Sequence, residues 1–317
     1  MKLTTIPTFQ QVEAIHNRIK PFINQTPVLS STAINEMSGC EIYFKCENFQ
    51  KVGAFKMRGA ANALLALSEE EKNKGVATHS SGNHAQAVAL SAKNHKVKAY
   101  IVMPENAPAI KRAATAGYGA EIITCESTLE ARESTLNKVV EKTGATFLHP
   151  YNNYDVIGGQ ATCAKELIEE IQDLQVVMAP VGGGGLMSGT AISTKALLPN
   201  AQIIGAEPKW ADDAFRSFKS GKMQYNTRVD TIADGLRTNL GAYTFEIITK
   251  LVDDIITVSE EEIVAAMRII WERMKIIIEP SCAVPFAALL QQKERFAGKK
   301  VGIIITGGNV DVNNLPF

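Results

Sequence analysis

Val176-Val-Met-Ala-Pro-Val-Gly-Gly-Gly-Gly-Leu-Met-Ser-Gly189 leads from an apolar run, through consecutive glycines, into the helix-forming stretch Thr190–Leu198. The order is strand, loop, helix. Glycines at 182 to 185 leave no Cβ to block the backbone, so their N–H groups can wrap a phosphate at the positive end of the helix that follows. No Lys or Arg lies in the run, so dipoles alone would hold the anion. The spacing is neither G-x-x-x-x-G-K-[ST] nor a clean G-x-G-x-x-G, which disfavours a nucleoside triphosphatase or a dinucleotide enzyme. A tight turn for close helix packing would use the same glycines.

Working outward, short β-branched runs keep alternating with amphipathic helical patterns, which predicts an α/β fold with a mostly parallel sheet. Strands are expected at Val76–His79, Val97–Met103, Ala120–Thr124, Thr146–His149, Gln202–Ala206 and Val301–Thr306. Helices are expected at Met57–Leu67, Ala85–Ala92, Ala109–Gly117, Leu129–Thr143, Gly159–Ile171, Glu260–Arg273 and Ala283–Gln292. Residues from about 71 to 147 form one αβ block, and the chain from about 148 onward forms another. No repeat or low-complexity linker separates them.

Two further loops carry chemistry. In Lys51-Val-Gly-Ala-Phe-Lys-Met-Arg-Gly59, Lys56 falls between a β-rich segment, Ile42–Cys46, and the helix from Met57. Apolar neighbours and a positive helix end both disfavour the ammonium form, leaving neutral amine able to attack a carbonyl. A surface lysine lying along a loop is the alternative. In Ser80-Ser-Gly-Asn-His-Ala-Gln86 a small-residue loop opens a helix, which suits an anion such as a carboxylate, or else a plain N-cap.

Composition narrows the partners. The 317 residues carry zero formal net charge and no basic block, so neither nucleic acid nor an anionic membrane is expected. The start lacks the apolar core of a signal peptide, and the longest aliphatic stretches are too short to span a bilayer. Cys40, Cys46, Cys125, Cys163 and Cys282 are scattered without metal-ligand spacing, as buried thiols of a reducing compartment would be. The expected location is the cytoplasm.

Taken together, these segments resemble the serine/threonine dehydratase and serine racemase family of fold-type-II pyridoxal-phosphate (PLP) enzymes, with the serine-racemase-like branch nearest. The resemblance runs from Thr26-Pro-Val-Leu-Ser-Ser31 to Thr306-Gly-Gly-Asn-Val-Asp311. It implies two domains, each with a largely parallel sheet flanked by helices. Residues 1–70 and 148–317 would form the large PLP-binding domain and 71–147 a small mobile one. It implies that Lys56 carries the cofactor as a Schiff base and then acts as acid and base on one face of the substrate. Gly182, Gly183, Gly184, Gly185 and Met187 would hold the phosphate, Asn83 the ring hydroxyl and Phe55 a stacking position. Glu279-Pro-Ser-Cys-Ala matches a family segment near the pyridine ring, with Glu279 at the cofactor and Cys282 read as packing. Thr306 aligns with the hydroxyl residue that faces the pyridine nitrogen. A neutral hydroxyl there makes the ring a weaker electron sink, favouring loss of a β-hydroxyl over transamination.

On the substrate side the resemblance implies Ser80, Ser81, Gly82 and His84 as the carboxylate loop, with Ser81 working on the face opposite Lys56 in racemases. Arg132 matches an arginine that turns toward dicarboxylates, although alone it reads as a solvated helix charge. Tyr151, in His149-Pro-Tyr-Asn-Asn153, departs from the racemases that place asparagine after His-Pro. Glu207, Ala211 and Asp213 match a divalent-cation site whose oxygen ligands suit Mg²⁺, Mn²⁺ or Ca²⁺; alone they read as an acidic loop. A homodimer is implied, with an ATP effector near Ser31, Thr32 and Asn309. The expected reaction is α,β-elimination of water from serine or threonine, with serine racemisation. The rivals are a threo-3-hydroxyaspartate dehydratase, a β-replacing enzyme of the cysteine synthase type and a non-catalytic binding protein of the same fold.

Overall fold

The structure is a computed structural model that describes residues 2–80, 82–107 and 109–317, with the backbone alone at 109–111. The strands are β1 (Val28–Leu29), β2 (Glu41–Cys46), β3 (Val76–His79), β4 (Ala99–Pro104), β5 (Glu121–Cys125), β6 (Thr146–Phe147), β7 (Val176–Pro180), β8 (Gln202–Pro208), β9 (Asp254–Val258) and β10 (Lys300–Ile305). Among the described residues they build a six-stranded sheet, ordered β1-β2-β10-β7-β8-β9, and a four-stranded sheet, ordered β5-β4-β3-β6. Every pairing is parallel except β1 against β2.

Central parallel strands are covered on both faces, which is why β7 and β10 read as continuous apolar runs. Alternation then decides which layer each side chain enters. Ile303 and Ile305 pack with Phe286, Met267 and Ile270 of helices Pro280–Gln291 and Glu260–Met274 on one face. Ile304 packs with Leu167, Met187 and Ala191 of helices Tyr154–Glu170 and Gly185–Leu197 on the other. Each such aliphatic side chain contributes about 1.5–3 kcal/mol by leaving water.

Parallel strands deliver their following loops to one edge, and the chemistry-bearing segments emerge there. In the large sheet β2 leads to the Lys56 loop, β7 to the glycine run and β10 to Thr306, with β10 in register between β2 and β7. An isolated bridge between Ala54 and Gly307 ties the lysine loop to the end of β10. In the small sheet β3 leads to Ser80 and β6 to His149.

The α/β class and the order of elements agree with the sequence reading, while several boundaries move. The helix after the glycine run starts at Gly185 rather than Thr190, and the one expected from Gly159 starts at Tyr154, where the Asn153 side chain accepts from the Val156 amide at 3.0 Å. Tertiary packing explains both shifts. A Cβ on Gly159 would lie 2.6 Å from the Arg58 carbonyl oxygen, and one on Gly189 would lie 2.5 Å from the Ala161 nitrogen. These glycines are contact points between helices, not breaks. Helices Phe9–Ile19, Thr32–Ser38, Asp213–Ser220 and Ala242–Leu251, and strand β9, are additions that the sequence reading lacked.

Candidate active site

Lys56 is the first residue of helix Lys56–Leu65, and Phe55 immediately precedes it. The lysine Nζ donates to the Pro150 carbonyl at 3.0 Å and lies 5.0 Å from the Phe55 ring centroid. Burial of the amine lowers its pKa to about 8, against the opposing pull of the Glu279 carboxylate. The loop before it is held under backbone strain, for Val52 is a β-branched residue at φ +57°. Asn309 secures that turn by donating its side-chain amide to Val52 O at 2.7 Å and to Asn83 Oδ1 at 2.9 Å.

Asn83 opens helix Asn83–Asn94, with Gly82 at the cap, and its Nδ2 lies 3.0 Å from both Glu279 oxygens. Asn309 takes one of the two lone pairs of the Asn83 amide oxygen and so fixes which end of the amide is N–H, leaving an N–H to offer toward a ligand. Ser80 follows β3, donates its backbone N–H to Val102 O at 3.1 Å, and accepts the Gly82 N–H on its hydroxyl at 3.3 Å. Ser81 lies outside the described residues. The buried His84 faces Leu148 O with Nε2 at 3.0 Å, while its Nδ1 is buried with no partner among the described residues. Burial first, and then Lys56, depress this imidazole to about 3, so it is neutral and presents Nδ1 as a lone pair. His149 is likewise held down to about 4 by burial, then by His79 and Lys56. Its Nδ1 accepts the N–H of Asn152 at 2.9 Å.

In the glycine run, Gly184 sits at φ +85° and turns the chain into the helix that begins at Gly185. The first N–H groups of that helix have no partner inside it and point toward the loop. Thr244, absent from the sequence reading, donates its hydroxyl to Gly183 O at 2.8 Å and holds the loop from behind. Met187 is fully buried in the first turn of the helix. The Tyr151 ring covers the run: a Cβ on Gly183 would come within 2.3 Å of it. Tyr151 also meets His149 edge-on at 4.6 Å between centroids. Burial and then Asp213 push its phenol up to about 12, while Thr238 hydrogen-bonds it.

At the end of β10, Thr306 is buried and its carbonyl accepts the Phe55 N–H at 3.0 Å. Cys282 does more than pack. Its Sγ lies 3.1 Å from Thr306 Oγ1, donates toward Gly307 O at 2.9 Å and accepts the Gly307 N–H at 3.1 Å. Lys56, Phe55, Asn83, Glu279 and Thr306 are therefore linked directly or through one neighbour. Arg132 stands apart, on helix Leu129–Thr143 in the small-sheet layer, with Nε buried and unpartnered among the described residues.

Glu207, near the end of β8, and Asp213, at the start of the next helix, are both buried, as is Ala211 between them. Glu207 accepts the N–H of Ala214 at 3.2 Å and of Phe215 at 2.8 Å. Asp213 accepts the Leu240 N–H at 2.8 Å and the Asn226 side-chain amide at 2.6 Å. Burial and then Asp213 push the Glu207 carboxyl well above the usual carboxylate range, and Asp213 itself rises to about 6, chiefly by burial. The two carboxylates are thus interior, although Lys209 and Trp210 of the same loop are exposed, and they are not the solvated acidic surface that the composition alone suggests. Among the described residues, no group of three or more His, Cys, Asp and Glu side chains gathers as a metal cluster.

The comparisons with known proteins agree with this fold. Residues 19–307 match the family model described as pyridoxal-phosphate dependent enzyme. The serine racemase of Dictyostelium discoideum is 51% identical over 97% of this chain and 96% of its own length. The β-hydroxyaspartate dehydratase of Paracoccus denitrificans is 48% identical over 98% of this chain and 99% of its own length. Among solved structures, maize serine racemase superposes with a TM-score of 0.94 at 44% identity, covering 96% of this chain and 94% of that one. The chain belongs to the pyridoxal-phosphate dependent enzyme family, with a fold-type-II architecture.

Proposed function

We propose that the protein is a PLP-dependent lyase that removes water from a small hydroxy amino acid (serine, threonine or 3-hydroxyaspartate), releasing a 2-oxo acid and ammonia, and that it also inverts serine. The observation that carries this reading is the Lys56 amine, held at a pKa of about 8 by burial at the edge where the glycine run, Asn83 and Thr306 meet. The donor set fits the cofactor: a reactive amine, an amide whose orientation Asn309 fixes, a neutral hydroxyl and the free N–H groups of a helix start. The bound cofactor supplies an electron-withdrawing ring that accepts negative charge as the α-proton leaves. Gly182 to Gly185 and Met187 bind its phosphate with backbone N–H groups. Asn83 donates to its ring oxygen and Phe55 flanks the ring. Lys56, with a pKa close to working pH, takes the proton from one face of the α-carbon. The loop from Ser80 to His84 orients the substrate carboxylate, Ser81 returns a proton on the opposite face, Tyr151 bounds the side-chain end, and Arg132, which stands apart in this structure, joins it as the 71–147 unit closes. Closure of the 71–147 unit over the site excludes water.

A substrate panel tests the reading by measuring keto-acid release and enantiomer inversion on serine, threonine and 3-hydroxyaspartate, with Ser81→Ala beside the wild type. Elimination from L-serine is expected to survive in S81A while inversion falls by about 10²-fold or more, the usual scale of losing one acid/base group. Equal losses would assign Ser81 to carboxylate binding. No keto acid from any of the three would sink the function.

A divalent cation belongs to the same proposal, held by Glu207, the Ala211 carbonyl and Asp213. Two buried carboxylates in one loop repel unless positive charge lies between them, and an all-oxygen set suits Mg²⁺, Mn²⁺ or Ca²⁺. Such an ion braces the loop and touches no substrate. Chelation is expected to lower the Tm by several degrees, with recovery on adding the metal, through preferential binding to the folded state. An unchanged Tm across a chelator and metal titration would remove the site. We further propose a homodimer working in the cytoplasm. An ATP effector near Ser31, Thr32 and Asn309 would act through the Asn309 contacts to Val52 and Asn83. The described cysteines are all free thiols, and no helix among the described residues is long and apolar enough to cross a membrane.

A further inference from the structure

Cys282 sits two residues into helix Pro280–Gln291, fully buried, and touches the one hydroxyl that the functional reading turns toward the cofactor's pyridine nitrogen. Its sulfur has three polar neighbours: Thr306 Oγ1 at 3.1 Å, Gly307 O at 2.9 Å and the Gly307 N–H at 3.1 Å. The amide N–H can only donate, so one sulfur lone pair is committed to it. The carbonyl can only accept. The hydroxyl can do either, and the thiol has one proton to place.

Two arrangements also place a proton between the sulfur and the threonine oxygen. In the first, S–H points at Gly307 O and the sulfur accepts the Thr306 O–H, so the threonine oxygen presents lone pairs outward. In the second, S–H points at Thr306 Oγ1, and the threonine proton is free to point away from the sulfur. A bare pyridine nitrogen is an acceptor and draws the threonine proton off the sulfur, which leaves Sγ and Oγ1 facing each other lone pair to lone pair at 3.1 Å unless the S–H turns to Oγ1 as in the second arrangement. Without a ring nitrogen the first is favoured, because the carbonyl is nearer and is the stronger acceptor. Gly307 O keeps a donor in both, since it also accepts the Glu279 N–H at 3.1 Å. Burial, followed by the Glu279 carboxylate, raises the thiol well above its ordinary range, so the proton is always there to be placed.

We propose that Cys282 is a positioning residue that sets the direction of the Thr306 proton: its S–H turns from Gly307 O to Thr306 Oγ1 when a pyridine nitrogen arrives, and so strengthens the threonine's hydrogen bond to that nitrogen. The inference rests on the reading of Thr306 given above. No bond to a heavy atom forms or breaks; two protons rotate. The effect is on how firmly the ring nitrogen is held as an uncharged acceptor, and therefore on how much negative charge the ring can withdraw.

Infrared spectroscopy reads the S–H stretch directly, in apoprotein and holoenzyme, with Cys282→Ala identifying the band among the five thiols. On adding PLP the Cys282 band is expected to shift to higher frequency, because the thiol exchanges a carbonyl for a more distant hydroxyl. In Thr306→Val the band should stay where it is in the apoprotein. Ring-labelled ¹⁵N-PLP gives a second readout: its resonance should move toward that of unbonded pyridine in C282A and remain near wild type in Cys282→Ser, which keeps one donor. If C282A folds poorly, C282S removes the same thiol band and identifies it among the five, so the wild-type infrared pair and T306V still decide the inference. A coloured holoenzyme whose thiol band does not move overturns this inference alone. A protein that takes up no PLP, judged by borohydride fixation onto Lys56, overturns the functional reading and this inference with it.

Discussion

Replacing Lys56 with alanine is expected to reduce elimination by about 10⁴-fold or more, since it removes both the covalent anchor and the proton acceptor on one face of the substrate. Cofactor affinity should fall much less. The glycine run, Asn83 and Glu279 do not depend on the amine for their positions: Thr244 holds Gly183, and Asn309 holds Asn83. The purified K56A protein should therefore bind PLP without forming a borohydride-fixable bond, and should elute with free cofactor after denaturation. Pre-steady-state absorbance and keto-acid assays check both halves. Substantial residual elimination would show that another group takes the proton, and the assignment of the site would be wrong.

Arg58→Ala is expected to produce the largest loss of stability of any single substitution near the site. The guanidinium is fully buried and contacts two carboxylates at once: Nε and Nη2 reach Glu47 at 2.7 and 2.8 Å, and Nη1 and Nη2 reach Glu166, both at 2.7 Å. Lys45 adds a second cation, 2.7 Å from Glu166 and donating to Thr26 O at 2.7 Å. The four charges cancel. Removing Arg58 leaves two interior carboxylates facing one lysine, a situation that costs about 3–5 kcal/mol. Chemical denaturation should show that loss, and Arg58→Lys should recover only part of it, because an ammonium cannot fill a fork shaped for five donors. The double variant Arg58→Met with Glu47→Gln should be less destabilised than R58A, since it also removes one stranded charge. A cost below about 1 kcal/mol for R58A would mean that water already reaches the network.

How far the sequence can be read follows from which forces are local. Strand β7, the glycine run and the helix after it are legible because periodicity and backbone freedom act over a few residues. The helix starts at Gly185 and Tyr154 are misplaced in the sequence reading for the complementary reason. Gly158, Gly159, Gly185 and Gly189 weigh against helix locally, and the packing that overrides them comes from Arg58, Gly59, Ile15, Tyr151 and Ala161, distant in the chain. Within the site, Lys56 and the glycines stand out through motif spacing. Cys282 reads as packing, because nothing within several residues of it reveals that Thr306 and Gly307 lie against its sulfur. The buried ion network is invisible in the same way: Glu166 lies 108 positions from Arg58. Glu207 and Asp213 are recognisable as a pair, but only the fold shows that they are interior.

The glycine contacts between helices have a consequence for what this cleft can admit. Gly59 and Gly159 bring helix Lys56–Leu65 against helix Tyr154–Glu170, and Gly189 brings helix Gly185–Leu197 against the same central helix at Ala161. Ser193 fastens the second seam by donating to Ala161 O at 2.8 Å. With little side-chain layer at either seam beyond Gln160, which accepts the Gly59 N–H at 3.2 Å, the span from the lysine's helix to the helix whose first amides face the loop is set largely by main-chain thickness. The stack works as a fixed gauge. A ligand must carry its carbonyl and its anion at one separation, and there is no soft padding to absorb a longer or shorter one. An added methyl at position 159 or 189 would rescale that gauge without touching a single group that meets the ligand.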